Sequence, residues 1–234
     1  MARPLPIPGS TAAGPGRAIR GAAPPRVCSP GERVADAVIH ALGVGASPIA
    51  IAVLMRLAIH SGGAVTIVAA AVYGLTLFAT LTLSATYNLV RSPARAERLR
   101  RYDHAMIFLM IAGSYTPFAM IALGGASGLM LLVAVWLLAC VGAALKLRYP
   151  RGRERIFVGF YLALGWIGLI MVDALIAALP VRALLLLGLG GVLYTTGVVF
   201  HLWQRLPYQN AIWHSFVLAG AACHYGAILT TVIA

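Results

Sequence analysis

Seven long apolar runs constrain this chain more than any other feature. They recur from Val34 to the C-terminus, at roughly 34–58, 65–90, 103–123, 127–147, 156–179, 182–203 and 209–233. About 20 apolar residues in helical form cross the hydrocarbon of a bilayer. In lipid an open strand or loop would leave backbone N–H and C=O groups unpaired, so each run must be a helix. Composition agrees: 61% of the 234 residues are hydrophobic and only 10% are charged, against about a quarter in soluble domains. The sequence therefore predicts an all-α, seven-transmembrane helical bundle over residues 34–233. Before it lies a basic tail, residues 1–33, rich in Pro, Gly, Ala and Arg. The tail has no helical period and reads as disordered. It also lacks the apolar stretch of a secretory signal.

Turn signals separate the runs: SGG at 61–63, GGASG at 124–128, the basic stretches Arg91–Arg101 and Lys146–Arg155, Pro180 and Pro207. Pro48 and Pro117 fall inside spans and should kink them. Gly165, Gly168, Gly188, Gly190 and Gly191 read as sites of close helix approach. Cys28, Cys140 and Cys223 are too scattered for a disulfide framework, and the last two read as small packing residues within spans.

The net charge of +12 would suggest nucleic acid in a soluble protein. Here its distribution points to topology instead, and nucleic acid is not an expected partner. The tail, the stretch Arg91–Arg101, the stretch Lys146–Arg155 and Arg205 hold every lysine and arginine except Arg56 and Arg182. Lysine and arginine accumulate on the cytoplasmic side. The N-terminus is therefore expected inside and the C-terminus outside.

That topology brings polar residues to one depth. Asp36 and His40 lie near the start of the first span, Ser84 and Asn88 near the end of the second. Asp103 and His104 open the third span, and Asn210 and His214 open the seventh. Three of these pairs are spaced i, i+4, which puts both members on one helix face. Polar groups within a span are costly unless they face the bundle interior, so the set predicts a shared interior site at the cytoplasmic end. Asp103 also suits an N-cap. His60 reads as a loop residue, His201 as facing headgroups, and His224 as a buried, hydrogen-bonded histidine. Asp173, in the outer half of the fifth span, has no evident partner.

These residues resemble a known family. Glu32, Asp36 and His40 match E-x-x-x-N-x-x-x-H with Asp for Asn, and SATYN at 84–88 matches S-x-x-x-H. DHAMIFLMIAGSYTPF from Asp103 and NAIWHSFVLAGAACHY from Asn210 match long family strings. The chain resembles the progestin and adipoQ receptor family, most closely its bacterial hemolysin III branch. The resemblance implies an inner (plasma) membrane protein of a bacterium. It also implies a zinc ion near the cytoplasmic face, held by three histidines, with an Asp and a Ser beside it. Those positions are Asn88, Asn210 and His214 for the histidines, Asp103 for the Asp and Ser84 for the Ser. Two of the three imidazoles are thus amides here, so zinc is expected weakened or absent. His40, Asp36 and His104 are supporting candidates.

Three functions follow as expectations. The first is a role in membrane lipid homeostasis or sensing, with the bilayer as partner and a lipid as ligand. The second is a metal-dependent hydrolase of a lipid amide, with Asp103 and Ser84 as catalytic residues. The third is the membrane permeabilisation that the hemolysin name implies, for which no span carries a charged stripe.

Overall fold

The computed structural model describes residues 28–61 and 63–233. Most of the expected tail lies outside these residues. Among the described residues, seven helices are long and apolar enough to cross a membrane: α1 (Pro30–Ser61), α2 (Ala64–Leu89), α3 (Pro93–Leu123), α4 (Gly125–Arg148), α5 (Glu154–Ala178), α6 (Val181–Leu202) and α7 (Gln209–Ile233). There is no strand among the described residues. Neighbours in sequence pack as neighbours in space, and α7 returns against α1 to close the ring.

Two helices start a turn or more before their apolar runs. At α1, Ser29 and Glu32 form a capping box: the Glu32 N–H donates to Ser29 Oγ at 3.3 Å, and the Ser29 N–H donates to Glu32 Oε2 at 2.7 Å. Pro30 occupies the first helical position, where its missing N–H costs nothing. At α3, Pro93 again takes the first helical position after a serine, Ser92, here without a side-chain cap hydrogen bond, and the helix begins ten residues before the apolar run. The basic stretch expected as a loop is therefore mostly helical. Asp103 sits well inside α3, which rules out its reading as an N-cap.

Two spans are interrupted. After Pro117, α3 widens to a π-helical segment, Phe118–Leu123, closed by the Gly124 N–H donating to the Ala119 carbonyl. Gly124 and Gly125, at φ +56° and +51°, then turn the chain into α4. In α5 a 3₁₀ segment, Ile167–Met171, separates two α-helical parts. Tyr115 of α3 satisfies that break: its hydroxyl donates to the Gly165 carbonyl at 2.6 Å and accepts from the Gly168 N–H at 3.0 Å.

Leucine and isoleucine side chains such as Leu42, Ile49, Leu75, Leu137, Ile170 and Leu185 point outward. In lipid this exposure is no cost, and helix association depends on packing and interhelical hydrogen bonds. Gly190 and Gly191 meet His224 and Trp166, as close packing predicts. Gly165 and Gly188 face open space, so their expected packing role fails. Cys140 is exposed on the bundle exterior rather than packed.

The charged residues between α3, α4 and α5 do more than mark topology. Lys146 is completely buried, pairs with Glu154 Oε2 at 2.8 Å and lies 4.5 Å from the centre of the Phe157 ring. Arg100 reaches Glu154 at 3.1 Å and the Pro150 carbonyl at 2.6 Å, and Arg151 forks onto Glu97.

Candidate functional site

The site is assembled by the closure of α7 onto α1. Tyr208, at φ +59°, donates its backbone N–H to Glu32 Oε1 at 2.7 Å. Glu32 thus caps its own helix through one oxygen and pins the start of α7 through the other. That clamp sets the register. One turn after Glu32 stands Asp36, and a turn and a half after Tyr208 stands His214.

His214 Nδ1 lies 2.6 Å from Asp36 Oδ1, with the imidazole donating to the carboxylate. His40 Nε2 lies 3.7 Å from Asp36 Oδ2. The two imidazole rings are 4.4 Å apart. One potential ligand atom from each of Asp36, His40 and His214 falls within 4.8 Å of the others, an arrangement able to hold a metal ion. His40 is 5% exposed and Asp36 7%. His40 Nε2 has no hydrogen-bond partner.

The remaining expected residues divide around this cluster. Asp103 is buried, with Ser84 and His214 as polar neighbours. Asn88 is turned back on its own helix, its amide donating to the Ser84 carbonyl at 2.9 Å. Asn210 is exposed and lines a cavity instead of joining His214. His104 holds its Nδ1 2.7 Å from the Arg100 carbonyl and stands apart from the Asp36 cluster. The family zinc positions therefore do not fit zinc here: one amide is committed to backbone, the other faces the cavity, and only His214 keeps a nitrogen donor.

Of the other histidines, His60 differs from expectation. His60 ends α1 instead of lying in a loop. The His201 ring packs 4.9 Å from the Trp213 ring. His224 is half-buried and hydrogen-bonded to the Leu187 backbone, as expected of a hydrogen-bonded histidine, while its enclosed Nε2 has no partner. Asp173 is exposed, on the α-helical part of α5 that follows the 3₁₀ break. Sequence reasoning missed the clamp by Glu32, although the S-x-x-E spacing with Pro at the first helical position signals the capping box.

Beside the cluster is a cavity of about 690 Å³. It is bounded by the start of α1, the end of α2, the α6–α7 connection and the start of α7. Glu32, Arg33, Asp36, Asn88, Arg91, Gln204, Gln209 and Asn210 supply its polar lining.

Seven spanning helices that gather buried acids and imidazoles at one end, beside a polar cavity, define a polytopic integral membrane protein. A sequence profile described as haemolysin-III related matches residues 32–225, and the chain belongs to that family. It is 35% identical to the hemolysin-3 homolog of Bacillus subtilis (strain 168) over 198 residues, covering 85% of this chain and 93% of the relative. It is 35% identical to hemolysin-3 of Bacillus cereus over 202 residues, covering 86% and 92%. It is 28% identical to the human monocyte to macrophage differentiation factor over 205 residues, covering 84% and 83%. No solved structure matches the chain significantly.

Proposed function

We propose that this protein serves membrane lipid homeostasis or sensing, by admitting the polar part of a membrane lipid into a cavity that opens on the cytoplasmic side of a bacterial plasma membrane. The observation that carries this reading is the cavity. Its volume of about 690 Å³ lies in the range of small-molecule sites, about 300–1,000 Å³. Its lining joins two arginines, Arg33 and Arg91, to two carboxylates, Glu32 and Asp36. That pairing complements a headgroup carrying a phosphate and an amine, since guanidinium forks bind phosphate oxygens and carboxylates accept from ammonium. The cavity lies where spans end, at the depth of headgroups. The cytoplasmic orientation rests on the lysine and arginine distribution. The lipid reading does not depend on zinc at Asn88 and Asn210.

The test is lipid mass spectrometry of a bacterial strain lacking its own copy, complemented with native protein or with Arg33→Glu/Arg91→Glu. Native protein should shift the lipid profile, and the double variant should not, although it reaches the membrane in equal amount. Identical profiles with and without the native protein would remove the lipid role. A reporter fused after Ala234 should be active outside the membrane. A cytoplasmic signal would reverse the orientation.

A further inference from the structure

We propose that a divalent first-row transition ion of the zinc type binds at Asp36, His40 and His214, a site displaced from the family's histidine positions and joining α1 to α7. It is carried by geometry and by an incomplete hydrogen-bond account, and it shares Asp36 with the cavity of the lipid reading without requiring a lipid there.

A buried His–Asp pair alone would be a satisfied polar contact. Two observations go beyond that. His40 Nε2 is enclosed and has no hydrogen-bond partner, yet it lies 3.7 Å from Asp36 Oδ2. A buried nitrogen left without a partner is destabilising, and a cation is one partner it can take. Asp36 is a buried carboxylate, and among the described residues its ion pairs are with His40 and His214, not with lysine or arginine. A buried carboxylate needs a counter-charge or ligation. One cation among the three residues answers both requirements.

The donor set is specific. Two imidazoles and one carboxylate suit zinc and similar borderline ions, whereas calcium and magnesium favour all-oxygen sites. Donors around a tetrahedral zinc lie about 3.3 Å apart, as its bond lengths of about 2.0–2.1 Å require. The Asp36–His214 contact of 2.6 Å would open and the other separations, all within 4.8 Å, would close. Asp36 also lines the cavity, which supplies a path of entry and leaves the ion a coordination position open to the cavity. At this end of the bundle the chain departs from the family pattern three times: Asn88 and Asn210 remove nitrogen donors, and Asp36 adds an anionic oxygen donor against His214.

The experiment uses intact protein purified in detergent through a tag without histidine, stripped with chelator and titrated with Zn²⁺ or Co²⁺ alone. About one zinc per chain should remain after desalting. Asp36→Asn and His40→Ala should each weaken zinc at least about 100-fold, the upper end of what loss of an outer-shell partner costs. His60→Ala should keep the zinc. Zinc should raise the Tm of native protein and leave that of Asp36→Asn unchanged. Zinc uptake equal in native protein and Asp36→Asn would overturn the proposal, as would loss of zinc in His60→Ala or saturation by Ca²⁺ in place of Zn²⁺. Where the variants are not recovered folded, the cobalt spectrum of native protein decides. Intense visible bands of a low-symmetry nitrogen and oxygen site support the proposal, and the weak bands of hydrated Co²⁺ overturn it.

Discussion

Gly113→Ala should destabilise the bundle by about 1–3 kcal/mol or more, the range for overpacking a filled interior. A Cβ at Gly113 would lie 2.0 Å from Thr76 Oγ1 and 2.8 Å from Thr76 Cβ. Thr76 cannot swing clear: it is buried, and its hydroxyl lies 3.0 Å from the Val72 carbonyl and 2.9 Å from the Tyr73 carbonyl. Helices α2 and α3 must therefore separate. In lipid there is little hydrophobic gain to restore the contact by another route, because tails solvate an exposed helix face as well as a neighbour does. Gly188→Ala is the matched control. Nothing lies within 4 Å of that Cβ position, and alanine favours a helix over glycine by about 1 kcal/mol. Thermal unfolding in detergent should lower Tm for Gly113→Ala and leave it equal or higher for Gly188→Ala. Adding Thr76→Ala to Gly113→Ala should recover part of the loss. Equal behaviour of the two glycines, or no recovery, would remove the close crossing as the cause.

Glu154→Ala should cost about 3 kcal/mol, the low end for a broken buried ion pair. The low end applies because the Glu154 side chain is 41% exposed and Arg100 shares it. The loss arises on the other partner. Lys146, with a side chain only 1% exposed, would keep its ammonium over the Phe157 ring with no anion to pair it. Lys146→Met removes that cost at its source. It should stay within about 1 kcal/mol of native stability, since replacing a buried charge with an apolar chain of similar volume is often neutral. Chemical unfolding of the two variants should separate them. A larger loss for Lys146→Met than for Glu154→Ala would show that the ammonium itself, not its neutralisation, holds α4 to α5.

The spans were legible because span length and apolarity are local properties of the chain. Where the boundaries moved, the reasons were local as well. Ser29 with Glu32 and Ser92 with Pro93 start helices ahead of the apolar runs, and a reading based on hydropathy alone passes over them. The site was legible in part. That Asp36, His40, Ser84, Asp103 and His214 would gather at one end followed from topology and helical period. Which of them would touch did not. Spacing put Asn210 and His214 on one face, yet His214 turns to Asp36 on α1, while Asn210 faces the cavity. Spacing also gave His104 the same standing as Asp103, but His104 is drawn to the Arg100 carbonyl.

By itself the sequence determined that seven apolar helices must span a bilayer, since each run satisfies its own backbone and is long enough to cross. Tertiary structure alone decided which polar groups meet. The backbone hydrogen bond from Tyr208 to Glu32 sets the register of α7 on α1. Small-residue contacts such as Gly113 on Thr76 and Gly142 on Phe108 set how closely the other helices approach. Lys146 shows the same division. Its charge reads as a loop marker in one dimension, and only the approach of α5 to α4 gives it Glu154 and Phe157 as partners. Apolar length is specified residue by residue. Partner choice between helices in lipid depends on packing and hydrogen bonds across the chain, which no local window contains.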